Sequence, residues 1–215
     1  MSDIRAWVQN QSVGRAGTGT FGGLRMTPDG ALYVADLNLS AAIEGRLFGA
    51  NMGSVTTPAA TAATTAITNT IASAWVRVPD GTAIVPVYAR VVVESNGITT
   101  QGEASILIAQ NDIGAGSGVA ATAGPVSLNT AVPLTSNCTP QQIATASTAP
   151  TNPVELARFS FAASAVNQLF EWNARTLGTF PLVRGAGSWA IYIGGNAVNF
   201  FAQMIWAEFP EGTLS

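Results

Sequence analysis

The sequence has 215 residues, of which 47% are hydrophobic and only 10% are charged, against roughly 25% charged residues in an average soluble domain. This composition excludes intrinsic disorder, which needs low hydrophobicity and high net charge. The formal net charge is −3 and all nine basic residues are Arg with no basic run, so the electrostatic signature of a nucleic-acid-binding protein is missing.

The N-terminal 36 residues are predicted to form a unit distinct from the rest of the chain. Residues 1–23 contain five glycines and one aromatic residue outside any core pattern, Trp7, which is typical of an extended arm. Residues 24–36 predict a β-hairpin, because Pro28 presets φ at the second turn position, Asp29 suits the third, and Gly30 tolerates positive φ. The N-terminus has no apolar signal-peptide core, so we expect folding in a cytoplasm.

A short helix is predicted next, within Leu37–Phe48 and near residues 38–47. Leu39, Ile43 and Leu47 recur every fourth residue, and Asn38 or Ser40 is suited to cap the start. Gly45 weakens the prediction towards the end of the segment. Residues 54–73 are rich in Ala and Thr, and we expect mostly extended chain there.

From residue 74 onwards the pattern predicts β-strands separated by turns. The predicted strands are 74–78, 83–95, 104–110, 154–163, 168–174, 188–195 and 200–209. In the strand 83–95 the odd positions are all apolar and are predicted to share one buried face, while Pro86 indicates an edge or a bulge.

The segment 111–153 is rich in Gly and Pro. A structureless loop of this length is unusual in a compact domain, so we expect it to hide short strands or to have a role of its own. Residues 37–215 as a whole predict an all-β fold, a jelly-roll-like antiparallel β-sandwich preceded by the arm and hairpin.

The residue types needed for most catalysis are missing. There is no His, which excludes Ser-His-Asp and Cys-His sites, and the single cysteine, Cys138, excludes an intrachain disulfide and the common zinc sites. Two carboxylate pairs, Glu208 with Glu211 and Glu94 with Glu103, are interpreted as solvated strand ends. We predict no catalytic residue, cofactor or metal, and hence no enzyme.

Other motifs have plain structural interpretations. The Gly17-x-Gly19-x-x-Gly22 pattern has no strand before it and no helix after it, so it is not a dinucleotide site. Trp75, Trp172, Trp189 and Trp206 lie in apolar strands and are predicted to be core residues. Cys138 lies in a polar loop, and an inert thiol is favoured over a reactive one.

The segments LRMTPDGALYV and EGRLFGANMGSVTTP, within residues 20–58, resemble small structural virion proteins of tailed bacteriophages. The resemblance implies a capsid decoration or cement protein that binds the major capsid protein or other virion subunits. It also implies a homo-oligomer located in the virion, and our hypothesis favours a trimer. The missing basic run and the lack of a sufficiently long apolar run predict no nucleic-acid and no membrane partner. The residues expected on the docking side are Trp7, Arg15, Phe21, Leu24 and Arg25.

Two other functions stay open on the sequence alone. A receptor- or glycan-binding module of a phage tail or head fibre would use residues 111–153 as an exposed binding loop. A glycan-degrading enzyme would need two carboxylates converging in a cleft. We further expect the hairpin to pack on its own domain or on a neighbouring subunit, since a lone hairpin is marginally stable.

Overall fold

The computed structural model describes residues 37–54, 56–61, 66–95, 101–114, 119–121, 123–144, 146–164, 166–177, 180–195 and 198–214. The predicted arm and hairpin therefore lie outside the described residues, as do the five predicted docking residues Trp7, Arg15, Phe21, Leu24 and Arg25.

The predicted helix exists but is shorter than expected. Helix α1 spans Leu37–Ile43, and strand β1 begins at Leu47. Gly45 adopts a φ of +74°, which reverses the chain direction and ends the helix. The predicted short helix is therefore confirmed at about two turns, but it ends before the expected boundary near residue 47, because the Leu47 backbone pairs with Ala207 of another strand.

Helix α1, thirteen strands and two short 3₁₀ helices make up the regular structure of the described residues. The strands are β1 (Leu47–Met52), β2 (Ala59–Ala60), β3 (Ala74–Val78), β4 (Thr82–Ser95), β5 (Gly102–Ala109), β6 (Val119–Ala120), β7 (Ala123–Ser127), β8 (Thr139–Gln142), β9 (Val154–Phe161), β10 (Val166–Asn173), β11 (Val183–Arg184), β12 (Gly187–Gly194) and β13 (Asn199–Pro210). The 3₁₀ helices are Ala174–Leu177 and Glu211–Leu214.

The strands form two antiparallel sheets packed face to face, which confirms the predicted β-sandwich. One sheet has the order β10-β4-β13-β1-β7, with β2 and β11 attached, and the other has the order β6-β8-β3-β12-β5-β9. Eight of these strands give the cores β10-β4-β13-β1 and β3-β12-β5-β9. Along the chain these eight alternate between the sheets except at the step from β5 to β9, which is the connectivity of a jelly roll.

The Gly- and Pro-rich segment 111–153 does contain short strands, as expected. β7 extends the seven-stranded sheet by pairing with β1, while β8 and β6 extend the six-stranded sheet beyond β3. The segment thus contributes an edge to each sheet. Among the described residues of 54–73, the short strand β2 is the regular element, and the others form bends, turns and irregular chain.

A bulge in β4 overturns the prediction that its odd positions share one face. Tyr88 pairs with Ile205 and Pro86 with Trp206, which leaves Val87 as an extra residue. One extra residue reverses which side chains face inwards. Ala89, Val91 and Val93 therefore face the core as predicted, but Val85 and Val87 pack on the outer face. The bulge expected from Pro86 is confirmed.

The main core lies between the sheets and contains three of the four tryptophans predicted to be buried, Trp172, Trp189 and Trp206. The fourth, Trp75, is buried on the outer face of the six-stranded sheet, where Tyr192 and Ile113 also pack. The outer face of the seven-stranded sheet carries a smaller cluster in which Ala41 of α1 joins Val85, Val87, Ala207 and Phe209, together with Leu47 and Leu182.

Candidate docking surface

An exposed apolar ridge borders the edge of the seven-stranded sheet. Seven large hydrophobic residues of the described chain are exposed, and four of them lie within nine residues of sequence. We call these four the β7 ridge: Val126 (57% exposed), Leu128 (49%), Val132 (55%) and Leu134 (42%). Clustered exposed apolar side chains mark interaction surfaces more often than scattered ones do.

The pairing of β7 with β1 directs the first half of the ridge away from the core. Val126 pairs with Gly49, and the Leu128 amide donates to the Leu47 carbonyl at 2.8 Å. Gly49 leaves room for the neighbouring leucine, because a Cβ there would lie 3.3 Å from Cδ2 of Leu128. Pro125 removes one backbone donor from this edge and so discourages the addition of another strand. A partner would therefore contact the side chains of the ridge.

Asn129 fixes the middle of the ridge to the end of α1. Its Nδ2 donates to the carbonyls of Ala42 and Ile43, each at 3.0 Å, at the end of the helix. The Ala42 carbonyl also accepts from the Gly45 amide at 3.1 Å. Its Oδ1 accepts from the amides of Ala131 and Val132 at 3.0 and 3.1 Å, an Asx-type turn. One side chain therefore holds both the helix end and the loop.

Glu208 holds the far end of the same loop from below. This carboxylate on β13 is only 5% exposed and accepts from Ser136 Oγ at 2.6 Å and from the Asn137 amide at 2.8 Å. Trp206 Nε1 lies at 3.5 Å. A buried carboxylate is costly unless it is hydrogen-bonded, and here it is. The interpretation of Glu208 as a solvated strand-end residue is therefore wrong, whereas Glu211 lies at the surface, half-buried.

Cys138 lies beside this carboxylate and is buried. Burial, followed by the charge and hydrogen bonding of Glu208, raises the pKa of the Cys138 thiol far above its usual range. A thiol is nucleophilic only as a thiolate. The structure thus supports the interpretation of Cys138 as an inert residue.

The other carboxylates of interest converge on an arginine at the surface of the six-stranded sheet. Arg158 pairs with Glu103 at 2.8 Å and with Glu155 at 2.6 Å, and Ser105 Oγ donates to Glu155 at 2.7 Å. The Arg158 guanidinium lowers the pKa of Glu155, the opposite of the shift that a glycosidase general acid needs. Glu103 thus has Arg158 as its charged partner.

A cleft of about 340 Å³ opens beside β11 and is lined by Gln110, Asn152, Val154 and Arg184. Asn152 Nδ2 donates to Gln110 Oε1 at 2.9 Å, so two of its polar side chains bond to each other. Within the described ranges no group of His, Cys, Asp and Glu side chains is arranged to hold a metal ion. No helix in that part of the chain is long and apolar enough to cross a membrane.

No family model matches the sequence, and no curated protein matches it either. The β7 ridge was not predicted from the sequence, although isolated large apolar residues in a Gly-, Pro- and Thr-rich stretch were a visible signal. The exposure of Val126 and Leu128 depends on which side of β7 faces the solvent, and the register with β1 determines that side.

Proposed function

We propose that this protein is a structural virion protein that binds and stabilises a bacteriophage capsid as a homo-oligomeric decoration protein. The observation that carries the proposal is the β7 ridge, an exposed apolar surface on a domain with few charges. Interface cores are depleted of charged residues in the same way. The resemblance of residues 20–58 to small phage virion proteins supports the same function.

The construction of the ridge favours binding to a partner. Asn129 and Glu208 hold the two ends of its loop through six hydrogen bonds of 2.6 to 3.1 Å. Because the loop is already ordered, binding loses little additional conformational freedom. The jelly-roll fold alone does not distinguish a capsid-binding from a glycan-binding function, since viral capsid proteins and lectins share this fold.

The size of the ridge favours an oligomer over a monomer. Its four side chains are about half exposed, and covering them contributes roughly 3–6 kcal/mol per copy at about 1.5–3 kcal/mol per fully buried side chain. Association costs about 4–15 kcal/mol in lost translational and rotational freedom. One ridge therefore binds weakly, whereas several ridges in one oligomer bind as linked sites. This is consistent with a trimer.

The test uses capsids of the phage that encodes the protein, prepared without it. The double variant Val126→Asp/Leu128→Asp places charge on the ridge, and Val154→Asp is the matched control, since Val154 is a Val of nearly equal exposure (55%) on the other sheet. We expect the double variant to bind capsids at least tenfold more weakly by sedimentation, with the control unchanged. Full occupancy by the double variant would overturn the proposal.

A second experiment tests the predicted N-terminal arm. Deleting residues 1–23 is expected to abolish capsid binding while the domain stays folded, and full decoration by the truncated protein would refute the role of the arm. Binding to host cells or glycans, with no binding to capsids, would favour the alternative of a receptor-binding module.

A further inference from the structure

The two outer faces of the sandwich are covered very unequally. On the six-stranded sheet, Ile67, Ala72 and Ile113 from loops pack over Trp75 and Tyr192, so every residue of β12 is buried. On the seven-stranded sheet, among the described residues, α1 covers the end of the face around Val85, Ala207 and Phe209. The rest of that face has no comparable cover.

The uncovered part of this face contains a hollow, which we call the sheet hollow. It has a volume of about 380 Å³ and is lined by Asn51, Gly53, Arg90, Val92, Phe201 and Gln203. Val92 pairs with Phe201 on one side and with Leu169 on the other, so these three apolar side chains form one row on the outer face. Leu169 is 48% exposed.

Phe201 is held in this row by a close contact with Gly53. A Cβ on Gly53 would lie 2.8 Å from Cδ1 of Phe201, and Gly53 has a φ of +82°. The aromatic ring is thus supported from one side by backbone. The row offers a preformed apolar surface, since its members lie on paired strands.

The chain outside the described structure joins the protein on this same face. The 36 residues before Leu37 lead directly into α1, and α1 packs on this sheet. The C-terminal carbonyls of α1 bond to Asn129 at the β7 edge, so the N-terminal end of the helix points away from that edge.

The predicted hairpin matches the sheet hollow in chemistry and length. With a three-residue loop at 28–30, Met26 pairs with Leu32 and Leu24 with Val34, so all four share one face. The longer predicted strand, residues 31–36, reaches about 20 Å at about 3.3 Å per residue, whereas residues 24–27 reach about 13 Å. The same rise over the six residues from Ala207, under α1, to Phe201 also gives about 20 Å. A lone hairpin needs such an apolar surface for stability.

We infer that residues 24–36 pack their apolar face on the sheet hollow of the same chain. A covalently attached segment has a high effective concentration at a site within its reach, which favours its own chain over a second copy. The hairpin covers the face that α1 leaves open. Residues 1–23 leave the domain beside it, and the β7 ridge stays free for a partner. The inference does not depend on the proposed function.

Proteolysis tests the packing. The chain has no Lys, and Arg25 is the single tryptic site within residues 24–36. Leu169→Asp and Phe201→Ala weaken the apolar row, and we expect each to speed cleavage after Arg25 at least tenfold. Val154→Asp is the matched control on the other sheet and should leave the rate unchanged. Cleavage in the unmodified protein as fast as in a free 1–36 peptide, or no change in both row variants, would overturn the inference.

Crosslinking decides whose hairpin occupies the hollow. A Leu32→Cys/Leu169→Cys chain is treated with a short bis-maleimide, and Cys138 does not compete because it is buried and protonated. We expect an intramolecular crosslink, so that the protein still runs as a monomer on a denaturing gel but with altered electrophoretic mobility. Crosslinked dimers, including those from mixed single-cysteine chains, would assign the hollow to a second copy and overturn the inference, as would the absence of any crosslink.

Discussion

Replacing Glu208 by Ala tests whether the buried carboxylate holds the loop that carries the β7 ridge. The substitution removes the acceptor for Ser136 Oγ and for the Asn137 amide. A donor left unpaired in a fully buried site costs about 1–3 kcal/mol. Ser136 is half-buried and Asn137 is exposed, so we expect a loss of about 1–3 kcal/mol in the free energy of unfolding for the two donors together. For a domain of this size that corresponds to a decrease of roughly 2–12 °C in Tm.

Chemical unfolding followed by tryptophan fluorescence measures this loss, since Trp206 lies beside Glu208. The thiol of Cys138 gives a local reading, because it is 4% exposed and its amide bonds to Ser136 Oγ at 3.1 Å. We expect Glu208→Ala to increase the rate of thiol labelling by a disulfide reagent. Stability and labelling should change together if the carboxylate holds the loop.

Glu211→Ala is the matched control, since Glu211 lies three residues further on and is only half-buried. We expect it to change the free energy of unfolding by less than about 0.5 kcal/mol, as is usual for surface substitutions. Equal effects of the two substitutions, or unchanged labelling of Cys138 in Glu208→Ala, would refute the role assigned to Glu208.

Three further predictions concern a turn, a tyrosine and a surface ion pair. Gly45→Ala should lower the free energy of unfolding in urea by about 2–5 kcal/mol, since it strains a φ of +74° and brings a Cβ to 2.1 Å from the Val132 carbonyl oxygen. The control Gly81→Ala has a φ of +78° and open space around the new Cβ, so it should lower the free energy of unfolding by only about 1 kcal/mol. Burial, followed by the hydrogen bond and charge of Glu171, raises the pKa of Tyr88 from 10.0 to about 12. The stabilisation of the folded state by protonated Tyr88 is therefore present below pH 10 and is lost as the pH rises towards 12. Glu171→Gln should lower the pKa of Tyr88 in an ultraviolet titration, and an unchanged titration curve would contradict the assignment. Arg158 lowers the pKa of Glu155, so the stabilisation by this ion pair is present above the ordinary carboxyl pKa and is lost on acidification. Glu155→Gln should lower the free energy of unfolding by less than about 1 kcal/mol at pH 7, because both side chains are largely solvated, and by less still at pH 3.

Local patterns were enough to predict the fold class and the position of its main strands. Alternating apolar residues and turn residues predicted β3, β4, β5, β9, β10, β12 and β13 to within about two residues at most ends. The burial of Trp189 and Trp206 followed from the same alternation. These features depend on the period of the strand and on turn chemistry, both of which are properties of short segments.

The tertiary structure alone decided which surfaces are buried and which are exposed. Alternation placed Val85 in the core, but the bulge at Pro86–Val87 moved it to the outer face, because one extra residue reverses the parity of a strand. Glu208 is buried because residues 136–137 cover it, and these lie about 70 residues away in sequence. Val126 and Leu128 of the β7 ridge are exposed because β7 pairs with β1 in one register. Register and covering segments are set by long-range contacts, which no local period specifies.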